Sequence, residues 1–210
     1  MRGADFTIYD ALLWEPPGGF FLLDGHVRRL ERSAAHFRFP LDATALRSQL
    51  LEYSRQLPNE ARKVRLELSS TGAIQFSHQP VKPNRPLVAA LSDNPVDSTD
   101  PFLPHKTSHR ELFEEALAAH PDAQEVLLWN ERGELTETCH GNLVLEIAGR
   151  RLTPPLSSGL LPGVFRAHLL ERGEIQEQVL PVGALEKASA VFMINSVRRW
   201  CELRLIRQTR

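Results

Sequence analysis

The order of apolar and polar positions divides the chain into short, mixed elements. FTIYDALLW (residues 6–14) is rich in β-branched and aromatic residues and predicts a first strand. PPGG at 16–19 is turn chemistry, and FFLL after it predicts a second strand, so the pair reads as a hairpin. From His26 to Phe37 the spacing becomes helical, with Val27, Leu30, Ala34 and Phe37 on one face. Asp42 is placed to cap a second helix running to about Tyr53. VRLEL, a Thr71-Gly72 turn and IQFSH form a second hairpin, and PLVAAL at 86–91 a short buried strand.

The second half repeats the mixture. DNPVDSTDPFLPH (93–105), dense in proline and aspartate, is the best candidate for a crossing between domains. The expected division is therefore an N-terminal domain over 1–97, a linker over 98–105 and a C-terminal domain over 106–210. Ser108 is expected to cap a helix, with Glu111 in capping-box position and the helix ending near His120. EVLLWN, ELTET and NLVLEI predict three strands. AGR (148–150) turns the chain into TPPLSSGLLPGVFR (153–166), and a helix follows from about Val164 to Glu171. IQEQVL and AVFMIN predict two more strands, with a short helix near Ala184 between them and a last strand near Leu203. Hairpin-linked strands mixed with helices argue for an α+β fold rather than a doubly wound parallel sheet.

Composition narrows the function classes. The chain has 210 residues, 42% hydrophobic and 24% charged, with a formal net charge of −1. That excludes a global basic field for nucleic acid. No window approaches the roughly 18 apolar residues of a membrane span, and the N-terminal stretch lacks the pattern of a signal peptide. Cys139 and Cys201 fit no metal spacing; they could pair, but two isolated thiols are taken as a sign of a reducing cytoplasm. His105 and His109 are four apart, but nothing around them resembles a zinc motif, so no metal is expected.

Several stretches carry candidate chemistry, each with a plainer alternative. If a helix starts near Val164, its first N–H groups and its dipole suit a phosphate, and Gly163 lets a ligand approach the backbone. The alternative is an ordinary loop with a proline near a helix start. Lys106, one of four lysines in an arginine-rich chain, lies close to Arg110; a lysine beside other cations suits Schiff-base chemistry, and the alternative is a solvated lysine. Glu137 in ELTET shares a strand face with Leu135, where a carboxylate needs a proton-bearing partner such as a protonated pyridine, unless it is a surface glutamate at a strand end. Arg28, Arg29 and Arg32 offer guanidinium forks, or a solvated basic face. In NSVRRW (195–200), Asn195 and Ser196 are turn formers with amide and hydroxyl donors, and Arg198 and Arg199 could meet a carboxylate. One ligand with a phosphate, a carbonyl carbon and a ring nitrogen would use all of these sites, and pyridoxal phosphate has the three.

The succession HxxRLxxSA, a lysine before a helix, NERGELTETxxxNL, TPP…LLPGxxR and NSxR resembles the class IV pyridoxal-phosphate aminotransferases and lyases, over nearly the whole chain. FLPHKTSHR, LLPGVFR and NSVRRW look most like the aminodeoxychorismate lyase domains of that family. The resemblance implies a two-domain, D-amino-acid aminotransferase-like fold of type IV with the cofactor site between the domains. It implies that Arg29 binds the cofactor phosphate, that Lys106 bonds to the cofactor and shuttles the proton, and that Glu137 holds the pyridine nitrogen protonated. Leu161 would pack on the ring. Gly163, Val164 and Phe165 would offer backbone to the phosphate, with Asn195 and Ser196 completing the cup. Arg110 and Arg198 would meet substrate carboxylates.

The implied activity is cleavage of aminodeoxychorismate to 4-aminobenzoate and pyruvate in folate biosynthesis, by a homodimer with an aminodeoxychorismate synthase as a conceivable partner. Two positions depart from the lyase pattern. Asp10-Ala11-Leu12 stands where lyases read Glu-Thr-Met, and Arg199 replaces a glycine. The chain also starts close to its first strand, without the N-terminal extension expected of stand-alone members. An amino-acid aminotransferase of the same class, for branched-chain or D-amino acids, and a cofactor-binding protein with little turnover therefore stay open.

Overall fold

The computed structural model describes residues 6–206, which divide into two compact units. One comprises the chain up to Pro83 together with His105–His109; the other comprises Asn84–Pro104 and the chain from Arg110 onward.

The first unit is an antiparallel sheet in the order β2-β1-β3-β4, with two helices. Its strands are β1 (Ile8–Glu15), β2 (Gly19–Phe20), β3 (Arg62–Leu68) and β4 (Ile74–Pro80). β1 pairs along its length with β3, from Ile8 opposite Leu68 to Trp14 opposite Arg62. Side chains alternate faces in a strand, so Ile8 and Leu12 point one way. They pack with Leu66 and Leu68 against Val27, Leu30 and Ala34 of α1 (Leu23–Phe37) and Leu46 and Leu50 of α2 (Ala43–Ser54). The α2 cap is as expected: Asp42 accepts from the N–H groups of Thr44 and Ala45. FFLL is not a full strand. Only Gly19–Phe20 pairs, and Leu22, at φ 55°, turns the chain directly into α1.

The second unit is built on strands β5 (Leu87–Leu91), β6 (Glu125–Trp129), β7 (Leu135–Thr138), β8 (Gly141–Ile147), β9 (Arg150–Thr153), β10 (Gln176–Glu177), β11 (Ala190–Asn195) and β12 (Arg199–Leu205). Their order is β10-β9-β8-β11-β12-β5-β6-β7, and β7 pairs back onto β8. Six strands, β8-β11-β12-β5-β6-β7, thus close into a barrel around Leu127, Leu135, Leu143, Leu145 and Met193. Helix α3 (Glu111–Ala119) precedes β6 and α4 (Val164–Glu171) follows β9. Of IQEQVL only Gln176–Glu177 pairs, and β9, which precedes the proline-rich loop, was not read from the sequence.

The division falls elsewhere than the expected 98–105 linker. β5 belongs to the second unit because it pairs in parallel with β6 and β12. Residues 105–109 belong to the first unit because they lie along β1: Tyr9 N–H donates to the Lys106 carbonyl at 2.8 Å, and Ser108 N–H to that of Thr7 at 2.8 Å. Ser108 is therefore not a helix cap. Its hydroxyl accepts the Thr7 N–H at 2.9 Å, and α3 starts after Arg110 without a side-chain cap.

Candidate active site

In the first unit the candidate residues hang on neighbouring positions of β1. Asp10 lies between Ile8 and Leu12 on the face that α1 covers, so its carboxylate is buried. An ion in that position needs partners, and α1 supplies two, one helical turn apart. Arg29 donates from Nε to Asp10 Oδ2 at 3.2 Å and from Nη2 to Oδ1 at 2.6 Å. His26 Nδ1 lies 3.0 Å from Oδ1 and, facing a carboxylate, carries the proton. Burial alone would raise the Asp10 pKa; the charges and hydrogen bonds of Arg29 and His26 outweigh it and hold the carboxyl well below the usual range. His26 Nε2 is buried without a hydrogen-bond partner among the described residues. Arg28 and Arg32 are exposed, so of the three helix arginines only Arg29 faces inward.

Lys106 is half-buried, its backbone fixed by Tyr9, and its Nζ sits 4.7 Å from the centre of the Tyr9 ring. The guanidinium of Arg65 lies 4.0 Å from the same ring. Next to Lys106, His105 Nδ1 is 2.9 Å from Ser33 Oγ, and the imidazole stacks on His36 with centroids 4.3 Å apart. Burial, then the neighbouring His36 and Arg32, push the His105 pKa down to about 4, so at neutral pH it is an uncharged ring.

In the second unit the candidates converge on Asn142, which the sequence reading had not singled out. Glu137 is buried in β7; its carboxylate accepts the Leu161 N–H at 3.2 Å and faces Asn142 Nδ2 at 3.5 Å. The same Nδ2 donates to the Leu161 carbonyl at 2.8 Å. Gly163 comes so close to Asn142 that a Cβ there would stand 1.9 Å from Oδ1. Its φ of −65° is ordinary, so close approach and not backbone freedom is what demands glycine. Gly163 precedes α4 without a side-chain cap, and the first bond of the helix runs from Ala167 N–H to the Gly163 carbonyl. The N–H groups at the start of an α-helix carry the positive end of its dipole.

Asn195 closes the β11–β12 turn: its Oδ1 accepts from the N–H groups of Val197 and Arg198 at 3.0 and 2.8 Å, and its Nδ2 donates to the His140 carbonyl at 3.2 Å. Ser196 is buried in that turn, two residues beyond Ile194, which pairs with Asn142. Arg199 adopts φ 56°, the left-handed region that favours glycine. Arg198 is half-buried with Nη1 3.9 Å from the Cys201 sulfur. Arg110 donates to the Cys139 carbonyl at 2.8 Å and lies over the Phe113 ring.

Two further motif residues are supports. Asn130 is fully buried; its Nδ2 donates to Glu134 Oε2 and to the Ser158 carbonyl, both at 2.9 Å. Hydrogen bonds from Arg132, Asn130 and Ser158 hold the Glu134 pKa down to about 2. Buried Arg166 donates to the Pro154 carbonyl at 2.7 Å and pairs with Glu177 at 2.6 Å. The motifs carried both residues as letters, with no sign of which atoms they hold.

Comparison with known proteins adds the rest. A Schizosaccharomyces pombe protein with the provisional name aminodeoxychorismate lyase is 31% identical over 96% of this chain and 88% of its own length. A solved Mesorhizobium loti structure, provisionally named an amino-acid aminotransferase, is 34% identical with a TM-score of 0.88 over 96% of this chain and all of its own. The 4-amino-4-deoxychorismate lyase of Pseudomonas aeruginosa, 22% identical, shares the fold at a TM-score of 0.80 over 96% of this chain and 83% of its own. The family model "Amino-transferase class IV", a pyridoxal-phosphate-dependent family, matches residues 7–206, so the chain belongs to the class IV aminotransferase family of enzymes.

Proposed function

We propose that this enzyme uses pyridoxal phosphate to cleave aminodeoxychorismate into 4-aminobenzoate and pyruvate. The cluster of Glu137, Asn142 and Leu161 beside the start of α4, which has no side-chain cap, carries the cofactor assignment: a buried carboxylate suits a protonated ring nitrogen, and a helix start suits a phosphate. The whole donor set fits the group, because an amine, a guanidinium and these two features match its aldehyde, phosphate and pyridine. When bound, pyridoxal phosphate supplies an aldehyde that captures an amino group and a ring that accepts electrons.

The chain's own residues do the rest. Lys106 Nζ would anchor the aldehyde carbon, and its amine would take the proton from the substrate ring carbon that bears the amino group as the enolpyruvyl group leaves with a proton, as pyruvate. Arg29, the N–H groups of Val164 and Phe165 and the Ser196 hydroxyl hold the phosphate, with Asn195 shaping the turn. Glu137 keeps the ring nitrogen protonated, and Leu161 covers the ring. Arg110 and Arg198 meet the substrate carboxylates. Aromatisation of the product supplies the driving force. The same reading includes a cytoplasmic homodimer; among the described residues no helix is long and apolar enough to cross a membrane.

The name of the S. pombe relative supports the lyase assignment. An aminotransferase is the second reading, favoured by the match to the M. loti protein and by Ala11, which has no hydroxyl to protonate a leaving group. One experiment separates them. Purified protein loaded with pyridoxal phosphate is assayed for 4-aminobenzoate from chorismate, glutamine and a synthase. In parallel it is screened spectrally against L- and D-amino acids for conversion to the pyridoxamine form. Product without conversion supports the lyase; conversion without product replaces it with the aminotransferase.

A further inference from the structure

A guanidinium is a flat plate with two hydrogen-bonding edges. Among the described residues, the side-chain hydrogen bonds of Arg29 all go to Asp10, and they occupy one edge, Nε with one N–H of Nη2. The other edge, Nη1 with the second N–H of Nη2, is left for another oxyanion. Asp10 is itself immobilised. Its backbone is paired opposite Leu66 in β3, and His26 Nδ1 holds Oδ1 at 3.0 Å. Side chains of Asp10, His26 and Arg29 are all at least nine-tenths buried, so neither the plane nor the reach of the guanidinium is free to wander.

We infer that Asp10 is a positioning residue for anion binding: it clamps one edge of Arg29 so that the opposite edge presents a fixed fork to the cofactor phosphate. The inference rests on the proposed cofactor reading and adds to it a residue on which that reading is silent. The lyase-like pattern places an acidic residue here without assigning it to the cofactor, and Asp10 by charge alone would oppose a phosphate. Charge and position therefore predict opposite signs. If Asp10 acts only as a nearby negative charge, its neutralisation tightens phosphate binding. If it acts through the orientation of Arg29, neutralisation loosens it, because a fork that must be ordered at the moment of binding loses affinity.

The test measures dissociation constants of pyridoxal phosphate and of phosphate-free pyridoxal by absorbance titration, with inorganic phosphate as competitor, for the wild type, Asp10→Asn and Asp10→Glu. The expected result is a rise of about tenfold or more in the pyridoxal phosphate constant for Asp10→Asn. Pyridoxal binding is unchanged and phosphate competition is weakened. Asp10→Glu keeps the buried charge paired and guards against a variant that fails to fold; its longer arm displaces the fork, and the same selective loss is expected. A general structural defect would weaken both aldehydes alike and overturns the inference. So does an Asp10→Asn protein that binds pyridoxal phosphate as tightly as the wild type or tighter. A wild type that does not favour pyridoxal phosphate over pyridoxal overturns the cofactor reading itself, whereas a wild type with that preference and unaffected variants overturns only the role of Asp10.

Discussion

Replacing Gly163 by alanine tests how tightly the start of α4 is tied to Glu137. The added Cβ would stand 1.9 Å from Asn142 Oδ1, and 3.1 Å from its Cγ. Reaching even 3.0 Å requires a retreat of about 1.1 Å, and the planar carboxamide carries Nδ2 with it. Asn142 cannot swing into solvent, being 3% exposed and paired within β8 to both Ile194 and Glu137. The movement breaks the 2.8 Å bond to the Leu161 carbonyl and the longer contact with Glu137. Leaving such a partner unsatisfied costs about 1–3 kcal/mol, of which the stiffer unfolded chain of an alanine variant returns roughly 0.4–1 kcal/mol. The net loss is about 1–2 kcal/mol, or roughly 2–8 °C in Tm for a chain of this size.

Urea unfolding followed by circular dichroism measures the loss. Gly183→Ala is the control, since no atom lies within 4 Å of its added Cβ and its φ is not positive; it is expected to be neutral or slightly stabilising. The cause is isolated by a cycle. With Asn142→Ala already in place the obstruction is gone, so Gly163→Ala should then cost nothing. Two results would refute the reasoning: Gly163→Ala as stable as Gly183→Ala, or the full penalty persisting in the Asn142→Ala background.

Other outcomes follow from the same geometry. Arg199→Gly removes a side chain from a left-handed φ of 56° and should leave stability unchanged or raise it by up to about 1 kcal/mol in urea titrations. A loss above about 1 kcal/mol would show that the arginine side chain anchors the turn. The depressed His105 pKa makes stability pH-dependent: between about 6.5 and about 4 the unfolded chain binds the proton and the folded one does not, so stability falls as pH drops through that window. His105→Gln should flatten this part of the pH–stability curve. Cys139, buried and pushed up to about 12 by burial and by Glu125, and Cys201, also buried, should react with Ellman's reagent only after unfolding. Lys106→Ala should abolish turnover and the cofactor label that borohydride fixes on the loaded protein, and Arg29→Ala should weaken cofactor binding, while exposed Arg28→Ala changes neither.

Much of the fold was legible because its elements carry their own periodicity. Val27, Leu30, Ala34 and Phe37 mark α1 by spacing alone, and Asp42 marks the next cap by type. What escaped depends on pairing over long distances. No local signal says that Leu87–Leu91 joins two strands from other parts of the chain in parallel, so the division was drawn too late, at 98–105. Ser108 looked like a cap because capping chemistry is local, whereas the partner it has, Thr7, lies 101 residues away. Asp10 was named only as part of a departure from the lyase pattern. The period-two rule applied to Ile8 and Leu12 would have turned it inward and asked which cation meets it. Asn142 carried a weaker signal, its place in the NERGELTETxxxNL run; that it faces Leu161 depends on where the loop 153–166 lands, which no pattern of hydrophobicity encodes.

That loop shows what its proline and glycine content is for. It is tied at three points to other parts of the second unit and once to itself: Thr153 Oγ1 donates to the Leu143 carbonyl at 2.7 Å, and Ser158 is held by Asn130 and Glu134. Leu161 is held on both its N–H and its carbonyl, and Arg166 reaches back to the Pro154 carbonyl. Gly159, at φ 85°, is also forced by proximity, since a Cβ would stand 2.7 Å from Ser98 Cα. A segment with so few torsions free and so many fixed partners has little entropy left to lose when a ligand docks at its end. The turn chemistry aims the helix start, and the hydrogen bonds keep it aimed. A substitution that loosens any one tie, without touching a ligand atom, should therefore weaken anion binding through the same helix terminus.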